Sequence, residues 1–179
     1  MTVIAAAFQD GSDYAIAADS QGEVDGERIT GIVKVHRWGP VLFGGWGTSA
    51  QVHRGRRWLL GWDPPADMNA LSEIVRALYD ALCERVGPAG NGEVVNIGAG
   101  FLFVGPWGIL RMDYAGAVHD AGRQAAGGSG GLVATGAMWV LGQAFGPPDP
   151  RARVLLGVEA AIALDTGCGG DVVVLTGPT

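Results

Sequence analysis

Of the 12 lysine and arginine residues, Lys34 alone is lysine. Cysteine is nearly as scarce: Cys83 and Cys168 are too few for a disulfide framework. With three histidines they form no zinc-site spacing, so neither metal catalysis nor a cofactor is expected. Charged residues make up only 17 % of the chain, too few to cover its surface generously, which points to surface hidden against other subunits. Positive charge is in deficit, with a net charge of −6 and a pI near 4.9, and this argues against nucleic acid or an anionic membrane as partner. The one basic cluster, His53, Arg54, Arg56 and Arg57, reads as a solvated helix face. No apolar run reaches transmembrane length, and the N-terminus lacks the basic and apolar regions of a signal peptide, so a cytoplasmic protein without a membrane partner is expected.

What is present begins at the second residue. Thr2 is small enough for Met1 to be trimmed, which would leave a hydroxyl nucleophile and a free α-amine on one amino acid. An α-amine titrates at about 7.7–8.0, so roughly a tenth or more is neutral at pH 7 and can take the hydroxyl proton. No histidine is then required. Such a site does need a cation to hold the amine's pKa down, a carboxylate to orient it and backbone N–H groups for the oxyanion.

With 179 residues and 48 % hydrophobic content, one domain spanning 1–179 with a substantial core is expected. Residues 2–8 and 14–18 read as a hairpin about Gln9 to Asp13, followed by a polar loop from Ser20 to Gly31. Residues 32–38 and 41–46 form a second hairpin about Gly39-Pro40. Thr48 and Ser49 supply hydroxyls to cap a helix over about 48–61. Leu71, Ile74, Val75, Leu78, Leu82 and Val86 predict an amphipathic helix over 69–87, ending at Gly87-Pro88 with a loop at 90–93. Strands are expected at 97–104, 107–113 and 116–119. The stretch 125–131 has the composition of a flexible linker, and helices over 131–145 and 150–164, separated by a Pro-flanked break at 147–150, lead to a last strand at 171–176. This order suggests antiparallel sheets with helices stacked outside them.

Five segments in succession carry a more specific signal. Ala17-Ala18-Asp19-Ser20 closes the second strand, and Lys34-Val35 lies in an apolar strand, where an exposed edge is the ordinary reason for a lysine. Gly44-Gly45-Trp46-Gly47-Thr48-Ser49-Ala50 turns from strand into helix. Gly128-Ser129-Gly130-Gly131 enters the third helix, and Asp165-Thr166-Gly167-Cys168-Gly169-Gly170 precedes the last strand. In this order, from Thr2 to about Val174, they resemble the proteasome β-subunits and their bacterial relative HslV, which are N-terminal nucleophile hydrolases, and in particular a short bacterial or phage-type member.

The resemblance implies an α+β fold, a four-layer αββα sandwich of two antiparallel sheets flanked by helices. It makes Thr2 the nucleophile, Asp19 the catalytic-site carboxylate, Lys34 the cation and Gly47 the oxyanion donor. Gly45 falls where the family shapes its first specificity pocket, and a missing side chain would leave that pocket open. Ser129 would bond near the threonine amine, and Asp165 and Cys168 would belong to the catalytic set. The chain departs from the family in carrying Cys168 in place of serine, and in one extra residue between Thr2 and Asp19 that the turn at 9–13 could absorb. The activity implied by the resemblance is that of a threonine peptidase acting on peptides or unfolded protein, in a homo-oligomeric ring or stacked rings, with an ATPase as possible partner. A non-cleaving scaffold subunit on the same fold is the alternative, and an amidase acting on a small amide is a third reading.

Overall fold

The first strands show no alternation of polar and apolar residues, as expected where both faces of a sheet are covered. In the computed structural model, which describes residues 2–10, 13–24, 27–86, 94–145 and 149–177, that is how they lie. In chain order the elements are β1 (Val3–Asp10), β2 (Asp13–Asp19), β3 (Gly22–Val24), β4 (Glu27–Ile29), β5 (Val35–Trp38), β6 (Val41–Gly47), α1 (Ser49–Leu59) and α2 (Met68–Val86). The second half of the chain contributes β7 (Ala99–Gly105), β8 (Gly108–Met112), β9 (Val118–Asp120), β10 (Gln124–Gly128), α3 (Gly131–Phe145), α4 (Pro150–Leu164) and β11 (Val172–Gly177).

One antiparallel sheet has the order β10-β1-β2-β11, and the other has β5-β6-β7-β8-β9. Alternate side chains of β1 serve two different cores. Val3, Ala5 and Ala7 pack with Ala134 and Met138 of α3 and Val154 and Val158 of α4, whereas Ile4 and Ala6 meet Leu42, Leu102 and Val104 of the second sheet. The far face of the second sheet, with Phe43, Phe101 and Phe103, is covered by Leu71, Val75, Leu78 and Leu82 of α2 and Leu59 of α1. Helices, sheet, sheet and helices therefore form four layers. Alanines on the helix-facing side of β1 and β2 let α3 and α4 settle close. None of the helices among the described residues is long and apolar enough to cross a membrane.

Three elements differ from the sequence reading. The polar segment after β2 contains a small hairpin, β3–β4, where the sequence suggests only a loop. The strand after it starts at Val35, so Lys34 precedes β5 instead of projecting from its middle. The glycine-rich stretch is no linker: Gln124–Gly128 pairs with β1 from Val3↔Gly128 to Ala7↔Gln124. Gly128 has φ +90°, and a Cβ there would stand 2.1 Å from the Thr2 carbonyl oxygen, so glycine is required by close approach and handedness. The readings of Met1, the Gly11-Ser12 turn, the Gly87-Pro88 helix end, the loop at 90–93 and the break at 147–148 lie outside the described residues.

Candidate active site

Thr2 enters β1 buried, 8 % exposed. The pairing Ile4↔Ala18 brings the end of β2 alongside the start of β1, and a register shift between Phe8 and Asp10 takes up slack at the hairpin's far end. Asp19 thus arrives next to Thr2 and is 0 % exposed. A carboxylate so buried requires donors on both oxygens, and it has four. Oδ1 accepts from Thr2 Oγ1 (3.0 Å), the Val3 N–H (2.9 Å) and Lys34 Nζ (2.7 Å), and Oδ2 accepts from the Gly169 N–H (3.2 Å).

Lys34, also buried, donates to Thr2 Oγ1 as well as to Asp19. Its ion pair with Asp19 is the only one found among the described residues. Burial pushes the ammonium's pKa down from 10.5, and the hydrogen bond and charge of Asp19 oppose that shift. The arrangement gives Thr2 Oγ1 a cationic donor on one side while its own proton points to a carboxylate on the other. A negative charge developing on that oxygen would meet the ammonium directly.

On the opposite side of Thr2, the turn from β10 into α3 supplies a second group of contacts. The Thr2 N–H donates to Ser129 Oγ (3.3 Å), and the Thr2 carbonyl accepts from Ser129 Oγ (3.4 Å) and the Gly130 N–H (3.3 Å). Behind Ser129, Cys168 Sγ lies 3.9 Å from Ser129 Oγ and donates to Asp165 Oδ2 at 3.5 Å. The Gly167 N–H first, then the Ser129 side chain, hold the Asp165 carboxyl below its ordinary range. Cys168 is pushed up to about 11, by burial first and then by the charge of Asp19, so at neutral pH it is a thiol that donates. Thiolate is then about one part in a thousand at pH 8. Iodoacetamide should leave Cys168 unmodified in the native protein over hours and alkylate it fully after unfolding, as peptide mapping would reveal. Rapid native alkylation would contradict this buried, protonated state.

Gly47, with φ +107°, opens onto the same cavity as Thr2 and Lys34. The seven predicted site residues therefore fall into two contact sets meeting at Thr2, one of Asp19 and Lys34 and one of Ser129, Cys168 and Asp165, with Gly47 on the cavity wall. Three expectations need correction. Thr48 sits at the N-cap of α1 but makes no side-chain capping bond. A Cβ at Gly45 would come 2.9 Å from Phe101 and Val52, so its absence lets α1 approach β6 instead of merely leaving space. Arg56, read as solvated, is half-buried, and it lines the cavity together with His53, which is exposed as that reading expects. Their signal was the spacing Val52, His53, Arg56, which puts all three on one side of a helix. The backbone donors at Val3 and Gly169 carried no side-chain signal at all.

No protein-family model matches the chain, and no curated protein matches it. Among solved structures, it resembles Thiobacillus denitrificans BPH in complex with epoxomicin, at TM-score 0.82 and 24 % identity over 98 % of this chain and 97 % of that one. It is similar to Thiobacillus denitrificans BPH at TM-score 0.81 and 23 % identity, over the same shares of the two chains. HslV from Trypanosoma brucei matches at TM-score 0.69 and 19 % identity, over 98 % of each chain. At these identities the likeness speaks to architecture: the chain shares the four-layer fold of BPH and HslV.

Proposed function

We propose, on the premise of that fold, that the chain is a threonine peptidase subunit of a self-compartmentalising oligomer, active once Met1 is removed. The observation carrying this reading is the Lys34 ammonium held by Asp19 against the Thr2 hydroxyl. A non-cleaving scaffold has no need to desolvate a lysine beside a threonine oxygen, since such burial costs stability.

In the proposed reaction, Thr2 Oγ1 attacks the peptide carbonyl carbon while its proton passes to the neutral α-amine. Lys34 stabilises the oxygen as it loses the proton, Asp19 keeps the ammonium in place, and the Gly47 N–H receives the carbonyl oxygen as its charge develops. Collapse of the tetrahedral species breaks the C–N bond, and the departing amine takes the proton from the α-ammonium. Water then attacks the acyl ester, giving its proton to the α-amine. When the ester C–O bond breaks, Oγ1 regains that proton. Ser129 orients the amine, with Asp165 and Cys168 behind it.

Peptides or unfolded protein are the proposed substrates, a ring or stacked rings in the cytoplasm the proposed assembly, and an ATPase the proposed delivery partner. Exposed apolar side chains on α3 and α4 support burial against other copies: Leu132 is 89 % and Leu164 74 % exposed. A stable monomer by light scattering would overturn the assembly. For the chemistry, intact mass after treatment with a peptide epoxyketone should give a protein lacking Met1 and carrying one adduct, mapped to Thr2. No adduct, or one on another residue, would refute the nucleophile.

A further inference from the structure

The cavity beside Thr2 has a volume of about 920 Å³ and extends from the nucleophile to α1 and β5. Most of its side wall is apolar, with Ile32, Val33, Val52 and Tyr114. The same space is also lined by His36 from β5 and by His53 and Arg56 from α1. The approach of α1 explains how a helix brings them there. Gly45 on β6 and Gly55 on α1 both face Phe101, where a Cβ would come within 2.9 and 2.4 Å of the ring, so the helix lies almost against the sheet. Arg56, three residues after His53 and four after Val52, then shares with each the side turned to the cavity.

Among the described residues, no carboxylate pairs with the positive charge there. Arg56 forms none of the ion pairs found among the described residues, and its Nε is buried with no hydrogen-bond partner. A guanidinium donor in that condition is costly unless something supplies an acceptor. His36 reports the local field: burial first, then Arg56 and His53, push its imidazole down to about 4, leaving it neutral at pH 7 with one N–H to donate. Phe43, with its ring centroid 5.4 Å away, packs beside it and brings no charge. The acidic side chain on the cavity wall is Glu23, exposed on β3 and not paired with Arg56.

We propose that this cavity selects an acidic side chain, glutamate before all, on the substrate residue whose carbonyl Thr2 attacks. The carboxylate reaches Arg56, with His36 and His53 as further donors, and the carbon stem lies along Val52 and Ile32. Arg56 is then the specificity-determining residue. A bound carboxylate meets, at the guanidinium, donors suited to its planar geometry. A neutral side chain fills the apolar wall but leaves the guanidinium without a counter-charge, and a lysine or arginine side chain is repelled. This inference rests on the peptidase reading for the identity of the scissile bond, but not for the existence of the acid-selective pocket.

The experiment is a panel of otherwise identical fluorogenic peptides ending in Glu, Leu or Arg before the dye, given to the assembled protein. The expected kcat/KM ratio of Glu to Leu is about tenfold or more. Arg56→Gln should bring the ratio near one, Arg56→Lys should keep only part of it, and Arg56→Glu should move preference to the Arg peptide. Ratios within each variant do not depend on how much of it folds. Anisotropy of the same dye-labelled peptides on the Thr2→Ala protein gives a second readout that needs no turnover. Acid-selective binding that tracks Arg56 without any cleavage by the parent protein would sustain the pocket and sink the peptidase. Preference for the Leu peptide in both assays, or a ratio indifferent to Arg56→Gln, would overturn the inference while leaving the peptidase reading intact.

Discussion

Lys34→Met is expected to lower peptide turnover by about a thousand-fold, within the range for removal of one positioned acid–base or electrostatic group. Methionine fills much of the same space, so the Asp19 carboxylate keeps its bonds from Thr2 Oγ1, the Val3 N–H and the Gly169 N–H, and cooperative unfolding should persist. What is lost is the cation next to the Thr2 oxygen together with its bond to Asp19. Because that cation acts on a charge present only as the oxygen gives up its proton, kcat should fall while KM moves little. Lys34→Arg retains charge but replaces a point ammonium in a closed site with a wider planar fork, and should restore little. Steady-state kinetics with any cleaved peptide checks this. Turnover of Lys34→Met within tenfold of the parent would remove the ammonium from the mechanism.

Asp19→Ala is expected to produce the largest loss of stability of any substitution at the site, with a pH dependence that identifies its cause. The change strips the counterion from a buried ammonium and the acceptor from two buried N–H groups. Lys34 can escape by releasing its proton. Relative to its ordinary value of 10.5, that release costs about 5 kcal/mol at pH 7 and about 2 kcal/mol at pH 9, which caps the charge contribution. Proton binding sets the sign. With the folded pKa below the unfolded one, the unfolded chain holds more protons between the two, so stability rises with pH across that window. The deficit of Asp19→Ala against the parent should therefore shrink between pH 7 and pH 9, by at most about 3 kcal/mol, as read from denaturant midpoints at each pH. Taking the difference between the two proteins cancels the opposite trend from groups with raised pKa, such as Tyr14 and Tyr79. In a Lys34→Met background the pH dependence should vanish, as no buried cation remains to release. A deficit that stays constant from pH 7 to pH 9 would mean the two residues are not energetically coupled.

Much of this site is legible in the chain because its members are chemically out of place. A single lysine in an apolar segment, an aspartate ending an apolar strand and a hydroxyl residue at position 2 each stand out locally. Their order along the chain matches a known pattern. The readings that fail concern residues whose local appearance is ordinary. The glycines of 125–131 look like a linker, but 124–128 pair with β1 because a Cβ at Gly128 would strike the Thr2 backbone. Arg56 looks like solvated charge, since nothing in the sequence says that Gly45 and Gly55 bring its helix down onto Phe101.

By itself, the amino-acid sequence determined which elements form, which of their faces are apolar, and which side chains are chemically able to attack, orient or hold charge. These properties depend on residue type and on spacing of a few positions, which a linear chain carries in full. Only the tertiary structure decided that Asp19 would receive backbone donors from residues 16 and 150 positions away, and that a basic helix edge would turn inward to a cavity. Such outcomes depend on how closely sheets and helices approach, and that distance is set by side-chain volumes from segments that meet only after folding.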